Sequence, residues 1–361
     1  MVHCLLVFSP FTPLRTQVPF QYSHIINTFL SLFLLFADPK IFNPVSTSNY
    51  IDLLDKSWQA TLRRGIAPNT CKQYSTGQKH YLDFCSKLKI PPIPATEICL
   101  LRFVTSIKDS LRGATIQNYL SAVRFLHIMN GYGDPLPEFE RLKLVVKALK
   151  RESGPTKQRA PITFSMLKAI CRLLKFTVFD DVLFWAMALV GFFGFMRVSE
   201  FTVPYQFNPD HHLTLQDLSL SKDFSSAQLW LKTSKTDTFR RGYGVVFGST
   251  SDAVCPILAL LLYLNLRTSV PGPLFMRQDG RPATRAWFCN RLKDAIIAIG
   301  VPGNISSHSL RIGAATAAAA AGIPHATIQV LGRWTSDAYK SYVRMTTEQK
   351  GAYSKCLLPQ G

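Results

Sequence analysis

Apolar and polar positions follow three successive patterns along the chain. From Met1 to Asn49 apolar and aromatic residues dominate with little charge, most densely at Phe29 to Ala37, FLSLFLLFA. That run falls short of the roughly 20 apolar residues a bilayer span needs. Pro10, Pro13 and Pro19 interrupt the lead-in of a signal peptide. Residues 1–49 therefore read as a disordered extension, with a degenerate membrane anchor as the competing reading. From Ile51 helical spacing takes over: Leu54, Trp58 and Leu62 recur at four-residue steps in Ile51 to Arg64. Asn69 to Lys89 carries Tyr74, Tyr81, Phe84 and Leu88 among lysines, and prolines 91, 92 and 94 mark the next loop. Thr96 caps a third helix, Gly113 to Met129 forms a fourth opened by Thr115, and Glu138 to Arg151 forms a basic last one. Residues 50–152 thus predict a small helical domain. Ser153 to Pro161, SGPTKQRAP, reads as a linker that suits a phosphate backbone, within a connecting segment 153–162.

The third pattern, over residues 163–361, is mixed. Thr163 caps a helix, and Asp180 to Phe195 is so nearly continuously apolar that it must be a buried helix. Leu213 to Ser219, Leu229 to Thr233 and Gly244 to Phe247 alternate as a short antiparallel sheet. Helices resume at Asp252 to Arg267, capped by Ser251, and at Arg285 to Ile299. The alanine-rich run Ile312 to Ala321 is helical by propensity. Gly322 and Pro324 end it, a short helix spans His325 to Leu331, and Tyr339 and Tyr342 share a last helical segment. The fold class is mainly α with a small antiparallel β-sheet.

Charge narrows the function. The net charge is +19, with Lys and Arg numbering 18 against 9 acids over 47–160 and 21 against 12 over 161–361, so each half carries +9. Two basic folded units suit a polyanion gripped from two sides. The eight cysteines (4, 71, 85, 99, 171, 255, 289 and 356) lie far apart without CxxC or paired His spacing, so neither a zinc site nor a disulfide framework is indicated. A reducing compartment, nuclear or cytosolic, is the expectation.

The chemistry centres on Ser306 to Arg344, which sets His308 and Arg311 three apart on one helix face and places Arg333, Trp334 and Tyr342 beyond two turns. HSLRIGAATAAA, LGRW and YVR resemble the catalytic domain of the tyrosine recombinases (phage integrases), and look most like those of eukaryotic Crypton and DIRS-like mobile elements. The helical domain, with TIQNYLSAVRFLH, resembles the family's core-binding domain. Upstream, GFMRVSE resembles the family's first catalytic arginine motif, implying Arg197 with Glu200 as its supporting carboxylate. A cation ending a buried helix is also costly without an anion. The loop SKTDTFRRG resembles the hairpin that carries the catalytic lysine, which implies Lys235 over Lys232. One departure is that Arg333 stands where the family has His or Trp, so either Trp334 takes that place or Arg333 contacts phosphate directly.

The resemblance implies Arg197, Lys235, His308, Arg311, Trp334 and Tyr342 as catalytic, with Glu200 and Arg333 supporting. Arginines supply paired donors to a pentacoordinate phosphate, His308 adds a donor or takes the tyrosine proton, and Lys235 protonates the leaving 5′ oxygen. Tyr342 then holds the 3′ phosphate covalently. Tyr339 and Tyr342 lie about 60° apart on a helix. Tyr342 is preferred because it follows Trp334 by eight residues, whereas Tyr339 follows by five. No cofactor or metal is required by this chemistry, and the scarcity of acids argues against a two-metal nuclease. The expected partner is double-stranded DNA, bound as a homotetramer on paired sites, with no small-molecule substrate and no membrane. The alternatives are a domesticated DNA-binding descendant without strand exchange and a type IB topoisomerase-like enzyme.

Overall fold

The computed structural model describes residues 47–344 except 156, 205, 235, 236, 238 and 240, together with 351. The reading of residues 1–49 therefore lies, up to residue 46, outside the described residues. Two compact units divide between Gly154 and Pro155.

The first unit is all helical: α1 (Thr47–Arg64), α2 (Pro68–Leu88), α3 (Glu97–Ile107), α4 (Gly113–Met129) and α5 (Glu140–Glu152). Its core is one cluster in which Tyr81 and Cys85 of α2 meet Leu100, Phe103 and Val104 of α3, Ile116, Leu120 and Val123 of α4, and Leu142 and Val146 of α5. Thr96 caps α3 as expected, its hydroxyl accepting from the Cys99 amide at 3.2 Å. One expectation fails. Thr115 does not open α4; the helix begins at Gly113, whose amide is satisfied from outside by the Ser153 hydroxyl at 2.9 Å. The helix expected from Leu54, Trp58 and Leu62 forms as α1, and its apolar stripe stays open, with Leu54 and Trp58 about half exposed.

The second unit wraps around α7 (Phe179–Phe193), in which every residue from Val182 to Phe192 is buried. A helix apolar on all sides must be enclosed. Around it lie α6 (Phe164–Leu173), the one-turn α8 (Val198–Phe201), α9 (Pro256–Leu266), α10 (Arg285–Ala298), α11 (His308–Ala320) and α12 (His325–Leu331). Strands β1 (Leu218–Leu220), β2 (Ser226–Leu231) and β3 (Tyr243–Gly248) form an antiparallel meander in that order. Leu229 pairs with Val245 in a register that turns Ala227, Leu229, Leu231, Val245 and Phe247 onto the core.

Boundaries differ in two places. Leu215–Asp217 is a 3₁₀ turn rather than strand, because the Asp217 carboxylate accepts from both the amide and the hydroxyl of Thr214. Helix α9 starts at Pro256 and not at Asp252; Cys255 caps it, its sulfur accepting from the Leu258 amide, so Ser251 is not the cap. The connecting segment 153–162 is divided between the two units. Ser153 belongs to the first unit, whereas the Ala160 amide donates to the Asn304 carbonyl at 3.0 Å and the Ile162 amide to the Ser309 carbonyl at 3.0 Å, both within the second. No helix among the described residues is long and apolar enough to cross a membrane.

Candidate active site

Helix α7 ends at Gly194, and Phe195, at φ 49°, turns the chain so that Arg197 becomes the residue preceding α8. Glu200, one turn later, is buried and holds Arg197 twice, accepting from its amide at 2.8 Å and from Nη1 at 2.9 Å. The same carboxylate accepts from Arg333 Nη2 at 2.7 Å. One buried anion therefore compensates two guanidiniums drawn from segments far apart in sequence, as a burial this deep demands.

Arg333 commits the rest of its head group to the interior, donating to the carbonyls of Gly194 at 3.1 Å and Phe195 at 3.2 Å. Its backbone is left-handed, φ 55°. This places Arg333 under the α7–α8 turn and sets Trp334 on a different set of neighbours. The tight packing has a second requirement at Gly332, where a Cβ would stand 1.6 Å from the indole of Trp334.

Helix α11 begins at His308 and buries Arg311 completely. The guanidinium lies 4.5 Å from the Trp334 ring centroid and 5.8 Å from that of Tyr342. Arg311 Nη2 donates to the Gly332 carbonyl. Its Nε and Nη1, and the indole nitrogen of Trp334, are buried without a hydrogen-bond partner. Unpaired buried donors are costly, and these three belong to neighbouring groups. Tyr342 completes the cluster, its ring 4.9 Å from Trp334 and 5.1 Å, edge on, from His308. Tyr339 is excluded from this group: it is buried and packs against His325 at 5.7 Å. The side chain of Arg344 folds back on its own turn, donating to the carbonyls of Ser341 and Val343.

Beside this cluster opens a cleft of about 550 Å³, lined among others by Arg159, Arg197, Arg285, Lys293 and His308 and by no acidic side chain. Charge and burial act on the titration of the site. Burial, reinforced by Arg159, Arg311 and Arg197, pushes His308 down to about 4, so the imidazole is neutral at pH 7. Burial, with Arg197 next, lowers Arg311 to about 9, which leaves it a cation.

Thus six of the eight residues expected from sequence, Arg197, Glu200, His308, Arg311, Arg333 and Trp334, converge with a seventh, Tyr342, through the contacts above. The eighth, Lys235, lies outside the described residues. Lys232 is held at the sheet, pairing with Asp217 at 2.7 Å and donating to the Pro209 carbonyl at 2.7 Å. Sequence reasoning did not assign Arg159, Arg285 or Lys293 to the site; a cation inside a proline-bearing linker or a helix of mixed polarity gives no periodic signal. Among the described residues no group of three or more His, Cys, Asp or Glu side chains could hold a metal ion.

No family model matches the chain. It is 24% identical over 292 residues to an integrase/recombinase xerD homolog of Selenomonas ruminantium, an alignment covering 76% of this chain and 81% of the relative. Among solved structures it is similar to XerH site-specific recombinase bound to palindromic difH substrate, with a TM-score of 0.59, 14% identity, and 81% of each chain covered. A lambda integrase fragment (75–356), a dimer bound to a COC′ core site, superposes with a TM-score of 0.56 at 17% identity, covering 81% of this chain and 94% of that one. The Tn1549 transposon integrase in complex with circular intermediate DNA gives a TM-score of 0.53 at 14% identity, covering 82% and 97%. The chain therefore has the tyrosine recombinase fold, mainly helical with a small three-stranded antiparallel sheet.

Proposed function

We propose that this chain is a site-specific tyrosine recombinase that breaks and rejoins DNA through a 3′-phosphotyrosyl bond. The observation that carries the reading is the placement of the Tyr342 ring against both His308 and Trp334, over a buried Arg311 with two unpartnered donors. A phosphodiester oxygen brought there gives Arg311 and the indole N–H of Trp334 the acceptors they lack, and Arg197 adds a donor from the cleft side. Tyr342 attacks phosphorus through its phenolic oxygen as the bond to the 5′ oxygen breaks. The phenol proton passes to His308, which is neutral at pH 7 and can accept it. The departing 5′ oxygen takes a proton from Lys235. The phosphotyrosyl ester retains the bond's energy, and attack by another 5′ hydroxyl reseals the strand.

Duplex DNA is the substrate in this reading, supported by the +19 net charge and by the core-site and difH complexes of the similar folds. Four protomers on two paired sites exchange strands. Within the family, HSLRIGAATAAA, LGRW and YVR favour the Crypton and DIRS-like recombinases of mobile elements.

The test is incubation with nicked suicide duplexes followed by denaturing electrophoresis. The wild-type protein forms a covalent adduct, Tyr342→Phe forms none while keeping DNA binding and folding, and Tyr339→Phe still forms it. No adduct on any duplex would leave a DNA-binding protein without strand exchange. An adduct with supercoil relaxation by a monomer would instead favour the topoisomerase reading.

A further inference from the structure

The segment 157–162 is strapped to the start of α11 by several independent contacts. Ala160 N–H donates to the Asn304 carbonyl at 3.0 Å, the Asn304 side-chain amide donates back to the Lys157 carbonyl at 3.3 Å, and Ile162 N–H donates to the Ser309 carbonyl at 3.0 Å. Farther along the helix, Gly313 lets the strap lie flat: a Cβ there would stand 2.0 Å from the Ile162 carbonyl oxygen. Arg159 sits in the middle of this strap. Its side chain lines the same cleft as Arg197 and His308, is exposed, and makes no hydrogen bond or ion pair with another described residue. A cation fixed by its backbone, with an uncommitted head group in a cleft without acids, is built to meet an anion.

We propose that Arg159 is a phosphate-binding and positioning residue of this site, which the strap delivers to the phosphate held beside Arg197 and His308. The inference rests on reading the cleft as a DNA-phosphate site and adds to it a residue outside the catalytic helices. Its guanidinium contacts a non-bridging oxygen and at the same time disfavours a proton on His308, so that the imidazole stays free to take one from Tyr342. Among the described residues, the charged or titratable groups around His308 are Arg159 on the strap, Arg197 before α8 with its partner Glu200, Arg285, Cys289 and Lys293 on α10, Arg311 on α11, and Tyr342. Of these, Arg159 is the largest charge contribution to keeping His308 neutral, after burial itself.

Two measurements on the full chain separate this from a passive surface cation. In an NMR titration of the His308 imidazole, Arg159→Gln should raise the midpoint toward the ordinary value near 6.5, and Arg159→Lys should restore much of the depression. Inorganic phosphate should raise the wild-type midpoint more than that of Arg159→Gln. On duplex DNA, Arg159→Gln should reduce the slope of log affinity against log salt by about one, the loss of one phosphate contact. An unchanged His308 midpoint overturns the positioning role, and an unchanged salt slope overturns the phosphate contact. Neither measurement needs cleavage, so a wild-type protein that forms no covalent adduct but shows both effects counts against the recombinase reading alone.

Discussion

Glu200 and Arg333, 133 positions apart, form a 2.7 Å ion pair almost sealed from solvent, their side chains 3% and 5% exposed. The pair ties the turn after α12 to the one-turn helix α8, and the second oxygen of the same carboxylate aims Arg197. At position 333, where the resemblance departs from the family pattern, Arg333 faces the interior, and the aromatic neighbour Trp334 faces Arg311 and Tyr342.

Removing that carboxylate's charge leaves two guanidiniums, one of them buried, without their anion. Glu200→Gln keeps the shape and should cost about 3–5 kcal/mol of stability, the range for breaking a buried pair from one side. Urea denaturation measures it. Arg333→Met, which removes the partner and leaves Glu200 with Arg197, should cost less than Glu200→Gln. Equal costs would mean that Glu200 serves Arg333 alone.

At Gly332 the constraint is steric. The backbone there has φ −81°, which any residue adopts, so the obstacle nearest to an alanine Cβ is the Trp334 ring, at 1.6 Å. Gly332→Ala should therefore push the indole off Arg311 at a cost of about 1–3 kcal/mol. It should also shift tryptophan fluorescence and reduce adduct formation at least tenfold. An unmoved emission spectrum with lost activity would place the defect elsewhere.

The pH dependence has a definite sign. His308 is held near 4 in the folded chain against an ordinary value of 6.5, so between those values the unfolded chain binds a proton that the folded chain does not. Stability is therefore unaffected by His308 above pH 6.5 and declines as pH falls toward 4, where the loss levels off. His308→Gln should show a shallower decline over that window in thermal melts. Phosphate, which favours the protonated ring, should protect the wild-type protein more at pH 5 than at pH 7.5. An identical pH profile for the variant would remove His308 as the source.

Much of this was legible in the chain because the signals are local. The unbroken apolar run 182–192 could only be a buried helix, and HxxR spacing fixes His308 and Arg311 on one face. What was not legible depends on contacts made across the sequence. Nothing near residue 333 announces Glu200 as its partner, and the strap 157–162 reads as a linker until Asn304 and Ser309 are seen beside it. The stripe of α1 shows the converse: Leu54, Trp58 and Leu62 have the periodicity of a buried face, yet Leu54 and Trp58 are about half exposed. Spacing marks a face as apolar, and only packing decides whether anything covers it.

The two lysines near the β2–β3 connection separate by what each is asked to do. Lys232 sits just past the end of β2 and pairs with Asp217, whose carboxylate also organises the Thr214 turn; the lysine side chain keeps 26% of its exposure. A partly screened pair of this kind contributes about 1 kcal/mol or less. Lys232→Ala should therefore lower stability slightly and leave the chemical step within a few-fold of wild type. Lys235 carries the general-acid role proposed for the leaving 5′ oxygen. Lys235→Ala should slow adduct formation by about 10²–10⁴-fold, the range for losing general acid catalysis. On a duplex whose leaving oxygen is replaced by sulfur, that deficit should largely vanish, because a thiolate departs without a proton. Single-turnover cleavage of the oxygen and sulfur substrates by both variants decides it. Sulfur rescue of Lys232→Ala, with Lys235→Ala unaffected, would move the acid to the strand end and make the Asp217 pair a resting contact that breaks for catalysis.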